Sequence, residues 1–198
     1  MLSLEQEIKD YFGQRDIPFH DHSFDDQRFL WLDFGFGDAG QKRYFRFDAK
    51  EKRRRYNMKN WPDAGIPEQH LFIMDDLAAR KILAIAPNSG VVVRDNTRRQ
   101  YYLFTVVDLF LMPKMRVNRP IHNQREGLKG KWLVDLRNGQ RFDELSSVFD
   151  AIETYLDQRR EIFGKQLACF GEYVGEHIGR GGIIRRPEHW VTDIQETR

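Results

Sequence analysis

The chain has 198 residues, 31% of them charged and 13% aromatic, with a formal net charge of +2; this suits one ordinary domain with at most a small appendage, and the share of large rings argues against disorder. No apolar run approaches the roughly 18–20 residues of a membrane span, and the opening MLSLEQEIKDYF lacks the basic-then-apolar order of a signal peptide, so the expectation is a soluble, cytoplasmic protein with no membrane partner. The single cysteine, Cys169, excludes an internal disulfide and a cysteine-based zinc cluster.

Residues 3–14, SLEQEIKDYFGQ, combine a serine cap, Gln6 three positions on, and a stripe of Leu4, Ile8, Tyr11 and Phe12, which predicts a first helix ended by Pro18. His20 and His22 follow at strand spacing and read as a solvated pair rather than a zinc site. FLWLDFGF (29–36) predicts an aromatic strand, GDAG (37–40) a turn, and KRYFRFDAK a return strand. Period two puts Phe45, Phe47 and Ala49 on one face of that strand and Arg46, Asp48 and Lys50 on the other.

Between Gln41 and Trp61 lie nine Lys or Arg residues against two acids, Asp48 and Glu51, interleaved with Tyr44, Tyr56 and Trp61. Such a run is either a solvated edge that discourages strand aggregation or a phosphate-tracking surface with stacking groups. NWPDAGIPEQH is broken by proline and glycine into a loop. MDDLAARKILAIA reads as a helix capped at Asp75 or Asp76 and ended before Pro87, with Arg80 and Lys81 exposed on it. GVVVRD (90–95) is a strand, NTRR a turn, and QYYLFTVVDLFL (100–111) a strand turning helical after Thr105.

In the last third, KGKWLVDLRNGQRF (129–142) predicts a hairpin about Asn138-Gly139. DELSSVFDAIETYLDQRREIFGKQL predicts an amphipathic helix capped by Asp143, with Leu145, Val148, Phe149, Ile152, Tyr155, Leu156 and Ile162 on its apolar stripe. The order implies an α/β (α+β) fold with a mixed central sheet flanked by helices. Residues 1–118 form the core, and 119–198 a C-terminal extension of hairpin, helix and basic tail packed on it. Whether that extension serves as a specificity element, a homodimer surface or a lid is open. No phosphate-cradling glycine loop, dinucleotide fingerprint or serine elbow is present, and GRGG (179–182) reads as a hinge.

Magnesium-assisted phosphodiester hydrolysis needs two or three acidic oxygens on the ion and a cation near the attacked phosphate. Asp48 and Lys50 supply one of each on one strand face. With the chain turning at GDAG, Asp48 faces residue 28 or 29 and Lys50 faces 26 or 27. That register selects Asp26 as the second acid, with Asp25 as the alternative after a one-residue slip. Asp33 is expected opposite Tyr44 instead. The shifted step Glu51-Lys52-Arg53 ranks below Asp48 because Glu51 points to the other face, and Pro62-Asp63 reads as loop chemistry.

DDQRFLWLDFGF followed by RYFRFDAKEKR resembles the hairpin of the PD-(D/E)xK nuclease superfamily, whose pattern sets an acid at the start of one strand and (D/E)-x-K on the next. The later order of helix and two strands is similar to the resolvase-like members, and the match spans roughly residues 3–112. No proline precedes Asp25 or Asp26, which departs from the pattern. The resemblance implies a restriction endonuclease-like core and a metal-dependent nuclease acting on nucleic acid, with DNA the first expectation, and a glutamate from the first helix, Glu7 or Glu5. Asp26, Asp48 and the Ala49 carbonyl would then hold Mg²⁺, or Mn²⁺ in its place. Lys50 would orient the water or stabilise charge on phosphorus, and Arg46, Lys52, Arg53, Arg54, Arg55 and Lys59 would grip flanking phosphates. The competing expectations are a nuclease-like clamp or assembly subunit without chemistry, and a module whose aromatic surface binds protein.

Overall fold

A computed structural model describes residues 2–22, 31–38, 43–120, 128–170 and 177–178. Helix α1 (Leu4–Gln14) starts where the Ser3 hydroxyl accepts from the Gln6 amide at 3.2 Å, and it buries Leu4, Ile8 and Phe12. The strands β1 (Phe19–Asp21), β2 (Phe34–Asp38) and β3 (Arg43–Lys52) then run antiparallel to one another. The chain continues through a loop with one 3-10 turn to β4 (Leu71–Asp75), α2 (Asp76–Ala84), β5 (Ser89–Asp95) and β6 (Gln100–Thr105). After β6 come α3 (Val106–Leu111), β7 (Met115–Pro120), β8 (Leu128–Asp135), β9 (Gln140–Phe142), α4 (Leu145–Phe170) and the two-residue β10 (His177–Ile178). Among the described residues, no helix is long and apolar enough to cross a membrane.

The fold is mixed α/β. A six-stranded mixed sheet has the order β1-β2-β3-β5-β6-β9, with β3 and β5 parallel, and a second sheet has the order β10-β7-β8-β4. Period two sorts the first sheet's side chains into two faces. Phe34, Phe36, Phe45, Phe47, Ala49, Val92 and Leu103 pack against α1 and α4, while Val91, Val93, Tyr102 and Phe104 pack against α2, α3 and the second sheet. The far side of that second sheet is closed by Tyr56, Met58, Trp61, Ala64 and Ile66 from the loop after β3. The stripe of α4 lies as its periodicity requires, with Leu145, Val148, Phe149, Ile152, Tyr155 and Leu156 buried.

Several boundaries differ from the sequence reading, each for a physical reason. Gly37 and Asp38 continue β2 rather than turning, with Asp38 opposite Arg43. Strands β1, β4 and β7 are too short or too close to loop-forming residues to announce themselves. The Asn138-Gly139 step is no hairpin. Leu136–Asn138 form a 3-10 turn, neither Asn138 nor Gly139 has a positive φ, and the chain passes from β8 in the second sheet to β9 beside β6 in the first. The helical turn after Thr105 is present, fixed by a reciprocal capping box between Thr105 and Asp108. Asp25, Asp26 and the glycine-rich tail lie outside the described residues.

Candidate functional site

The register of β2 on β3 decides which acid meets Asp48. Phe34 lies opposite Phe47 and Phe36 opposite Phe45, four or five residues out of step with the pairing expected from a GDAG turn. Phe34 and Phe47 stack with centroids 5.5 Å apart, so large rings meet across the strands. The residue preceding β2 therefore comes beside Asp48, and that residue is Asp33. Its amide donates to Asp48 Oδ1 at 3.2 Å, and its Oδ2 accepts from the Ala49 amide at 3.0 Å. Asp33 thus extends the contact between the two strands just before β2 begins.

Lys50 joins the two acids. Its Nζ donates to Asp33 Oδ2 at 2.8 Å and lies 3.3 Å from Asp48 Oδ2. The Asp48 side chain is 1% exposed, against 32% for Lys50 and 20% for Asp33, so the centre opens to solvent on the Lys50–Asp33 side. Lys81 of α2 donates to the Trp31 carbonyl at 2.9 Å and brings a second cation toward Asp48. Helix α2 is itself pinned to the second sheet through Asp76, which accepts from Arg116 Nε at 3.0 Å and from Trp132 Nε1 at 2.8 Å.

Burial pushes the Asp48 carboxyl above its ordinary value; Asp33 pushes the same way, while Lys50 and Lys81 pull back without cancelling the rise. Burial acts downward on Lys50, but the charges of Asp48 and Asp33 outweigh it and hold its ammonium above the usual lysine value. The sign for stability follows. A carboxyl whose native value is raised favours the fold in its neutral form, and that contribution disappears as pH rises from the ordinary carboxyl value through the raised one. Asp48→Asn therefore gains stability relative to wild type as pH is raised from 4 to 7. Urea midpoints measured across that range check this; a gap that stays constant with pH contradicts it.

The other expected site residues distribute as follows. Glu7 lies on the opposite side of the sheet, bonded to Arg94 and the Tyr101 hydroxyl. Burial, and after it the contact with Glu7, lifts Tyr101 to about 12. Glu7 is thereby tied into a structural network and kept from Asp48, a correction to the expected catalytic role. Glu5 instead lines a cleft of about 270 Å³ together with Ala49, Lys50, Glu51 and Arg53. Glu51 points to the helix side as period two requires, accepting from the Leu4 amide at 3.2 Å and pairing with Arg94 and Arg53. Lys52 is a second correction. Because β3 continues through it, it faces inward, fully buried against Asp95, and is out of reach of any phosphate. Arg53, Arg54, Arg55 and Lys59 are exposed, and Arg46 is half-buried beside Trp31 and Tyr44. Asp63 makes a loop contact, accepting from the Gly65 amide at 2.9 Å.

Among the described residues, no group of three His, Cys, Asp or Glu side chains converges as a ready metal cage. Asp33 and Asp48 bring two carboxylates together, both beside the Lys50 ammonium. Fold and site together define a mixed α/β protein with a lysine–carboxylate centre on its main sheet. No family model, no curated protein and no solved structure matches the chain.

Proposed function

We propose that the protein is a metal-dependent nuclease with a restriction endonuclease-like core, hydrolysing phosphodiester bonds in nucleic acid, DNA first. One observation carries the reading: the Lys50 ammonium sits between the carboxylates of Asp48 on β3 and Asp33 at the entry to β2. The order of helix α2 and strands β5 and β6 after the Asp-x-Lys strand also supports it.

In this reading Asp33 takes the place expected for Asp26, and Asp33, Asp48 and the Ala49 carbonyl would hold Mg²⁺ or Mn²⁺. The ion supplies Lewis acidity toward the phosphate and a more acidic bound water. Lys50, fixed at one end by Asp33, offers its remaining N–H donors to a phosphate oxygen or to the attacking water. Asp33, tied to the Ala49 amide, holds the two strands at a fixed separation. The exposed Arg53, Arg54, Arg55 and Lys59 hold flanking phosphates without reading bases.

A nuclease-like clamp without chemistry is the second reading, favoured by the lack of a three-acid group among the described residues. Incubating the full chain with plasmid and single-stranded DNA in Mg²⁺ or Mn²⁺, and in EDTA, separates the two. Cleavage that needs the metal and disappears in Asp48→Asn is expected. Salt-sensitive binding without cleavage in either metal overturns the enzyme in favour of the clamp.

A further inference from the structure

The face of β1, β2 and β3 that carries Asp48 continues away from the lysine–carboxylate centre as a run of planar polar side chains. His22 donates its amide to the Asp33 carbonyl at 2.9 Å, which places it one strand from the candidate site. Its ring stacks on Trp31, with centroids 5.4 Å apart and planes 20° apart, and lies 5° from parallel to His20 at 6.1 Å. The Arg46 guanidinium lies 5.2 Å from the Trp31 ring centre and 5.5 Å from that of Tyr44. Tyr44 in turn meets His20 Nδ1 through its hydroxyl at 2.8 Å.

A glycine makes this surface flat. Gly35 pairs with His20 on one side and Arg46 on the other, and a Cβ there would come within 2.2 Å of the Tyr44 hydroxyl oxygen. Only a residue without a side chain lets Tyr44 lie across β2 to reach His20. Ordinary core packing does not account for the cluster. On the other face of these strands the rings are phenylalanines, with Phe34, Phe36, Phe45 and Phe47 buried, whereas here His20 is exposed and His22, Trp31, Tyr44 and Arg46 are half-buried.

We infer that this face is a stacking platform for unpaired nucleotides, so that the strand entering the Asp33–Asp48–Lys50 centre is single-stranded or locally melted. Aromatic rings and arginine planes stack on splayed bases, while paired bases are already stacked on each other and offer only their edges. Arg46 supplies a cation for the accompanying phosphate. The placement of the platform beside a cutting site rests on the nuclease reading, but its ligand chemistry does not.

The test is accordingly made without cleavage. In EDTA, a single-stranded oligonucleotide carrying 2-aminopurine is titrated with the full chain, and its affinity and fluorescence are compared with those of the same sequence as a blunt duplex. Quenching with the single strand and weaker binding of the duplex are expected. Trp31→Ala should weaken single-strand binding about tenfold or more, as loss of one base–aromatic stack does, and abolish the quench; Trp31→Phe should restore both. His20→Ala, at an exposed position, gives the same readout should Trp31→Ala lower the urea midpoint. Duplex binding as tight as single-strand binding, or wild-type affinity in both Trp31→Ala and His20→Ala, overturns the platform. If quenching persists in a chain that cuts nothing in Mg²⁺ or Mn²⁺, the platform stands and the nuclease reading alone falls.

Discussion

On the proposed nuclease reading, Lys50→Ala is expected to lower metal-dependent cleavage at least about a hundredfold, the loss typical when a positioned transition-state donor or proton-transfer group is removed. The geometry explains why no neighbour substitutes for it. Lys50 lies 2.8 Å from Asp33 and 3.3 Å from Asp48, whereas Lys81 is engaged with the Trp31 carbonyl and Arg46 lies over the rings of Trp31 and Tyr44. Lys50→Arg keeps the charge but replaces a compact ammonium with a wide planar fork, so it recovers only a small part of the rate. The same substitution has a readout independent of turnover. With Lys50 gone, Asp33 and Asp48 repel without a cation between them, and Mg²⁺ raises the Tm of Lys50→Ala more than that of wild type. Single-turnover rates with saturating DNA, paired with thermal scans with and without Mg²⁺, measure both. Cleavage that survives Lys50→Ala removes the lysine from the mechanism, and an unchanged response of Tm to Mg²⁺ removes the ion from the Asp33–Asp48 centre.

What the sequence disclosed about this centre, and what it hid, follows from one property of strands. The period of two is local, so the sorting of Arg46, Asp48 and Lys50 from Phe45, Phe47 and Ala49 is readable from β3 alone and is observed. Which residue lies across the hairpin depends on where the chain reverses, and an error there shifts every partner. Reading Gly37 and Asp38 as the turn moved the expected partner to Asp26 and set Asp33 aside. The register pairing Phe34 with Phe47 and Phe36 with Phe45 sets ring against ring, but the expected register does the same with Phe29 against Phe47 and Trp31 against Phe45, so matching rings does not choose between them. Lys52 was misread for the opposite reason. A basic run looks like solvated surface, and only knowledge that β3 extends one residue beyond Glu51, beside Asp95 on β5, shows that its last lysine turns inward. The second sheet was illegible because β8 pairs not only with its chain neighbour β7 but also with β4, far upstream, a partner that no local pattern announces.

Lys52→Met destabilises the protein by about 3–5 kcal/mol, a large share of the roughly 5–15 kcal/mol that holds a typical domain folded. Both Lys52 and Asp95 are completely buried, with Nζ and Oδ2 3.6 Å apart. The ammonium also donates to the Gln69 carbonyl at 2.6 Å, tethering the loop that leads into β4. Asp95 Oδ1 is satisfied by the amide and hydroxyl of Thr97 at 2.9 and 2.6 Å, but Oδ2 has no hydrogen bond and depends on the lysine charge. Methionine fills most of the lysine volume, so the loss reports the stranded carboxylate rather than a cavity. Asp95→Asn in the same chain removes that charge while still accepting from Thr97, and the double variant recovers at least about 2 kcal/mol of the deficit. A second signature comes from pH. Burial holds Lys52 below the ordinary lysine value despite Asp95, so in the window between its native and ordinary values the unfolded chain binds more protons. Stability therefore rises with pH across that window in wild type, and Lys52→Met lacks this rise. Urea midpoints for the four members of the cycle, repeated at alkaline pH, give both quantities. Strictly additive losses would mean that the two charges do not depend on each other, and that Lys52 contributes only through its bond to Gln69.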